Sequence, residues 1–188
     1  MNIKRVIIIA VFTALWSALE IVIGPFLHHL PASPLPSGAI MSIFIIPILS
    51  IVYCIDNKYG IITFIGFLTA IFKLASLSGV KFPPSIGIFF NACIFDIFIR
   101  ILPLENLKFR IFIAGICSAI AGSITGRLIG GFLIKAYTNK TLPFILAYLG
   151  IPAFNALIGG ILGAIIAIIT VDRLKKNLEV YKMLNDKN

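Results

Sequence analysis

Four ionisable residues, Glu20, Lys73, Asp96 and Arg127, stand inside otherwise apolar runs of this chain, joined there by Asn91 and Asn155. Such groups are costly in hydrocarbon and face a cavity or a partner where they occur. Cations of the Lys73 or Arg127 kind suit a carboxylate or phosphate on a small molecule. Glu20 suits a donor-rich ring or an amine. Few convergent polar groups in apolar walls are the usual form of a small-ligand site. The plain alternative is a structural ion pair, such as Glu20 with Lys73, that fixes helix packing. Asp96 precedes Arg100 by one helical turn, so an intrahelical pair is its expected role.

Other chemistries lack the residues they need. His28 and His29 form an isolated pair, and two histidines alone make a weak metal site. Cys54, Cys93 and Cys117 lie in or beside apolar segments without ligand spacing and are expected to be small buried hydrophobes. No phosphate-cradling Gly-Lys-Ser/Thr run occurs, so ATP hydrolysis by that means is not expected. Nor does a paired-carboxylate motif of the lipid phosphotransferase kind, and inverted repeats of the secondary-transporter type are not evident. The chain therefore reads as a non-enzyme that needs neither cofactor nor metal. Two other readings stand beside a binding protein. One is a small membrane enzyme acting on a lipid or isoprenoid through Glu20, His28 and His29. The other is a membrane scaffold protein.

The elements that hold these residues follow from composition. Of 188 residues, 60% are hydrophobic and 12% charged, with mean hydropathy +1.08. Soluble domains carry about 25% charged residues. An all-α integral membrane bundle is expected, one domain over residues 1–188. The net charge of +9 does not point to nucleic acid, because the basic residues flank apolar runs. Lys4 and Arg5 before an apolar run imitate a signal peptide, but the run continues to Ile23 without a cleavage site, so a retained span is expected.

Six spans are predicted, at 4–24, 38–55, 59–79, 84–102, 109–135 and 145–171, with a kink at Pro47. Lys4, Arg5, Lys58, Arg100, Lys108, Arg110, Arg173, Lys175 and Lys176 then fall on one side. Only Lys81, Lys135 and Lys140 fall on the other. The positive-inside rule places both termini in the cytoplasm. Glu20, Lys73, Asn91, Arg127 and Asn155, from five helices, are then expected in the outer half. The Pro-rich connection from Pro25 to Ser37 is expected to be stiff and non-helical, a loop that closes over the site with His28 and His29.

Small residues form three stripes. Ala10, Ala14 and Ala18 mark one face of the first span, where small residues let another backbone approach, and internal packing explains them equally well. Ala114, Ser118, Gly122, Gly126 and Gly130 in span five, and Asn155, Gly159, Gly163 and Ala167 in span six, are expected to face each other.

With its size, topology and the run Ala10-Val-Phe-Thr-Ala14-Leu-Trp-Ser-Ala18, the chain resembles the substrate-binding S components of energy-coupling factor (ECF) transporters over nearly its whole length. The resemblance implies a multi-pass subunit of a prokaryotic plasma membrane. It implies capture of a small vitamin-like substrate at the outer end and docking through Ala10, Ala14 and Ala18 on a transmembrane scaffold subunit driven by two cytoplasmic ATPases. Glu20, Lys73, Asn91, Arg127, Asn155 and His28 are the substrate-binding candidates. Asn2 stands where the metal-specific branch carries a histidine, which argues against cobalt or nickel.

Overall fold

The computed structural model describes residues 3–28, 37–76, 82–133 and 142–185. They form α1 (Ile3–Ala18), a π-helical turn (Leu19–Ile23), α2 (Gly24–His28), α3 (Ser37–Ile55), α4 (Ile61–Ala75), α5 (Phe82–Ile101), α6 (Leu107–Leu133) and α7 (Leu142–Asn185). No strand occurs among the described residues.

Among the described residues five stretches are long and apolar enough to cross a membrane: Ile3–Phe26, Gly38–Ile55, Pro84–Ile101, Leu107–Ile129 and Leu149–Asn177. By length and composition this is a multi-pass helical membrane protein. The third expected span is the short one. α4 has 15 residues, or about 22 Å, against a hydrocarbon core of about 30 Å. It ends where Ser76 takes an extended conformation, and residues 77–81 lie outside the described residues. Helix α3 continues through Pro47.

Around the bundle the packing order is α1, α4, α5, α6, α7, α3, and α3 also touches α1, α4 and α6. Polar contacts fix the direction of each helix. Arg5 meets Asp56, the Gly60 N–H meets Asp96, Arg110 meets Tyr53, and Lys108 meets Asp172. The start of α1, the end of α3, the start of α4, the end of α5, the start of α6 and residue 172 of α7 therefore share one end, the basal end. Successive long helices therefore run antiparallel, whereas the neighbours α1 and α4, and likewise α3 and α7, run parallel. The core between them holds Trp16, Ile46, Leu49, Ile62, Ile65, Phe95, Ile99 and Ile111, each almost wholly buried.

Two expectations are corrected. The segment after span one is not non-helical throughout, because Gly24–His28 is helical and Ser37 opens α3. Proline is tolerated in a first helical turn, where its missing N–H costs little. Residues 29–36, including His29, Pro31, Pro34 and Pro36, lie outside the described residues. The stripes of spans five and six also do not face each other. A Cβ on Gly122 would stand 2.8 Å from the Gly87 carbonyl oxygen of α5, and one on Gly163 would stand 2.5 Å from the Ser42 carbonyl oxygen of α3. Gly159 meets Ala39 of α3 in the same way. The seam of α6 with α7 uses Gly115 and Gly160 instead, offset from the stripes. Spacing identifies a face of a helix, whereas the neighbour on that face depends on the ring order.

Candidate functional site

At the end opposite the basal cluster, α1 changes register. The Gly24 N–H donates to the Leu19 carbonyl, a π-type bond that skips the Glu20 carbonyl. Pro25 has no N–H to offer it. Lys73 of α4 supplies the donor: its Nζ hydrogen-bonds the Glu20 carbonyl oxygen and lies 3.9 Å from Glu20 Oε2. Both residues are buried, Glu20 at 8% and Lys73 at 7% exposure. Gly24 leaves room for the pair, since a Cβ there would stand 3.4 Å from Lys73 Nζ. An ammonium has three donors; one goes to the Glu20 carbonyl, and the carboxylate at 3.9 Å is an ion-pair partner rather than a hydrogen-bond acceptor.

The polar groups near this pair line the α1–α4 seam. Thr13 and Ser17 lie on the buried side of α1, and Thr69 lies one turn before Lys73 on α4. Their hydroxyls have no hydrogen-bond partner among the described residues. Asn91 of α5 is also buried, and its Oδ1 has no partner among the described residues. Its Cβ and Cα pack on Gly122 of α6. Buried polar atoms are normally satisfied, so these groups stand out within the bundle. The hydroxyls were not singled out from sequence. Their signal was the spacing of Thr13, Ser17 and Glu20 on α1 and of Thr69 and Lys73 on α4.

The other candidates fall elsewhere. Arg127 is exposed on α6, although its position mid-run suggested the interior, and it is not brought against Glu20 or Lys73. Asn155 is half-buried on α7, three residues after Pro152, whose carbonyl accepts from Ser123 Oγ at 3.2 Å. His28 closes α2, and its side chain, like all of His29, lies outside the described residues. Among the described residues no group of three His, Cys, Asp or Glu is gathered as for a metal ion.

On α1 the inward face carries Ile9, Thr13, Trp16, Ser17 and Glu20. Ala10, Ala14 and Ala18 are all exposed on the neighbouring stripe. Ala10 and Ala14 border an open apolar groove of about 520 Å³ between α1 and α4, with Val6, Phe64, Leu68 and Phe72 as its other apolar walls. Thr13 and Ser17 lie at its floor.

The basal end is organised by two carboxylates. Asp96 is fully buried, and its ion pair with Arg100 is 2.7 Å. It also accepts from the Gly60 N–H at 2.8 Å and Thr63 Oγ1 at 3.1 Å, so α5 caps the start of α4. Gly60 takes φ +88, the left-handed region open to glycine. Arg100 also bonds the Asn57 and Lys58 carbonyls, with Tyr53 and Tyr59 rings beside it. Outside the membrane-spanning stretches, Asp56 pairs with Arg5 at 2.7 Å. Partial burial pushes its carboxyl up, but the Arg5 hydrogen bond, the Lys58 N–H and both cations hold it below its ordinary value.

Comparisons with protein-family models, with curated proteins and with solved structures gave no match to this chain.

Proposed function

We propose that this chain is the substrate-binding membrane subunit of an ECF-type importer. In this reading it captures a small vitamin-like micronutrient and passes it to a transmembrane scaffold subunit driven by two ATPases. The observation that carries the reading is the exposure of Ala10, Ala14 and Ala18 together. A stripe used for internal packing is covered by its own bundle, whereas this one borders an open groove. Small residues in lipid favour close approach of a second helix.

The charge distribution supports an orientation. Arg5, Lys58, Arg100, Lys108 and Arg110 belong to the basal end. By the positive-inside rule that end faces the cytoplasm. The Glu20–Lys73 pair then lies towards the outside of a prokaryotic plasma membrane, about 22 Å along α1 from Arg5. The substrate bonds a Lys73 donor beyond the one given to Glu20, together with the buried Thr69 hydroxyl and, from α5, the Asn91 amide. Arg127, Asn155 and His28 stand towards the same end. Lys73 presents donors and the buried amide and hydroxyls present both kinds of group, so the substrate carries an acceptor-rich group and donors.

The test is purification of the chain from its native membranes in mild detergent, followed by mass spectrometry of released small molecules. A single polar compound at near-stoichiometric amount, absent from Asn91→Ala and Thr69→Val, is the expected result. Lipids alone, in parent and variants equally, would refute the reading.

A further inference from the structure

At the basal end, three cations are paired with carboxylates: Arg5 with Asp56 at 2.7 Å, Arg100 with Asp96 at 2.7 Å and Lys108 with Asp172 at 2.6 Å. Arg110 is different. No acidic side chain among the described residues pairs with it. Its Nη1 reaches Tyr53 Oη at 3.4 Å, a long hydrogen bond, and its Nε is buried with no hydrogen-bond partner among the described residues. A half-buried guanidinium at the edge of a membrane is costly without an anion.

The surroundings supply what an oxyanion needs. Arg110 offers a planar fork of donors. The Tyr53 hydroxyl accepts from Arg110 and still has its own proton to donate. Arg110 lies in the first turn of α6, where backbone N–H groups favour negative charge. The Lys108–Asp172 pair holds α7 beside α6 at this end.

The depth favours a lipid. Arg110 is three residues inside the Leu107–Ile129 span, and Tyr53 is two residues from the end of Gly38–Ile55. Tyrosines commonly mark headgroup level, and basic pockets between helices at that level take anionic headgroups.

We propose that Arg110 and Tyr53 form a binding site for a phosphate anion, occupied by the phosphodiester of an anionic lipid headgroup. This site is separate from the Glu20–Lys73 pair and does not rest on the transport reading.

The experiment uses the full chain, delipidated in a neutral detergent, with its thermal unfolding followed as phosphatidylglycerol, phosphatidylcholine or inorganic phosphate is added. Phosphatidylglycerol is expected to raise the midpoint saturably and phosphatidylcholine to have little effect. A comparable rise from inorganic phosphate alone would keep the anion site but overturn its assignment to lipid. Arg110→Gln and Tyr53→Phe are each expected to weaken the apparent affinity roughly tenfold or more. Lys176→Gln, an exposed change on α7, is expected to stay within about twofold, as for a rim charge. If Arg110→Gln does not fold, Tyr53→Phe carries the test, because it keeps the ring and removes only the hydroxyl. Equal losses in Arg110→Gln and Lys176→Gln would indicate diffuse surface attraction and overturn the proposal. Parent-like affinity in Tyr53→Phe, or no midpoint shift with any anion, would also overturn it.

Discussion

Lys73 Nζ, on α4, hydrogen-bonds the backbone carbonyl of Glu20 and stands 3.9 Å from the same residue's carboxylate. One side chain thus completes the π-helical turn of the first helix and neutralises its acidic residue. Both the structural and the ligand-binding readings of this pair draw on that contact, and they separate by mutation. Lys73→Met leaves a buried carboxylate and an unsatisfied carbonyl, and should cost about 3–5 kcal/mol. Adding Glu20→Gln should recover a good part of that loss in thermal unfolding, since the uncompensated charge is gone. Absence of any recovery would mean the backbone contact alone matters.

Asp96→Ala should destabilise the bundle by about 3–5 kcal/mol, because Arg100 loses its buried partner and α4 loses its cap. Asp96→Asn keeps an acceptor for the Gly60 N–H and should fall between Ala and the parent. Gly60→Ala, at φ +88, should cost about 1 kcal/mol through backbone strain. Denaturant midpoints of the three variants in one detergent check this order.

The helix seams predict a contrast between glycines. Gly163→Leu would drive a side chain into the Ser42 carbonyl of α3, and about 1–3 kcal/mol or more is expected from such overpacking. Gly150→Ala meets nothing within 4 Å and should leave the unfolding midpoint near the parent's. Equal effects at the two positions would contradict the α3–α7 seam.

Much of the architecture was legible because hydrocarbon demands continuous apolar runs. The span predicted at 38–55 coincides with Gly38–Ile55, and 84–102 with Pro84–Ile101. The Asp96–Arg100 pair was legible from one-turn spacing. What depends on neighbours was not. No charged residue follows Lys73 until Lys81, so the third span read as reaching residue 79, whereas α4 ends at Ala75. Pro25 read as a breaker because the π-helical turn that lets the helix pass it needs Lys73, 53 residues away in sequence. Arg127 read as interior because position along a run gives depth, whereas its exposure depends on which face of α6 meets α5 and α7. The cap that Asp96 gives to Gly60 joins residues 36 apart and leaves no local pattern.

The Arg5–Asp56 pair predicts a pH dependence with a definite sign. The folded carboxyl titrates below its unfolded counterpart. Its stabilisation is therefore complete above the unfolded value of about 3.9 and disappears as pH falls through the lower folded value. Asp56→Asn should cost about 0.2–1 kcal/mol near neutral pH, and the gap to the parent should close below the ordinary carboxylate range. A gap that widens on acidification would contradict the pairing.

In the importer reading, the exposed alanine face of α1 receives another membrane subunit. Ala14 borders the groove without filling the core, so Ala14→Trp should leave thermal unfolding of the isolated chain close to the parent's. A ring there should hold a second helix away. The most direct measurement is the ATPase activity that remains with the chain when it is purified from native membranes. On this reading the parent is expected to retain a polytopic subunit and ATP-hydrolysing subunits, and the Ala14→Trp variant to be folded but stripped of both. An Ala14→Trp variant that keeps the full activity, or a parent that carries no ATPase at all, would contradict it.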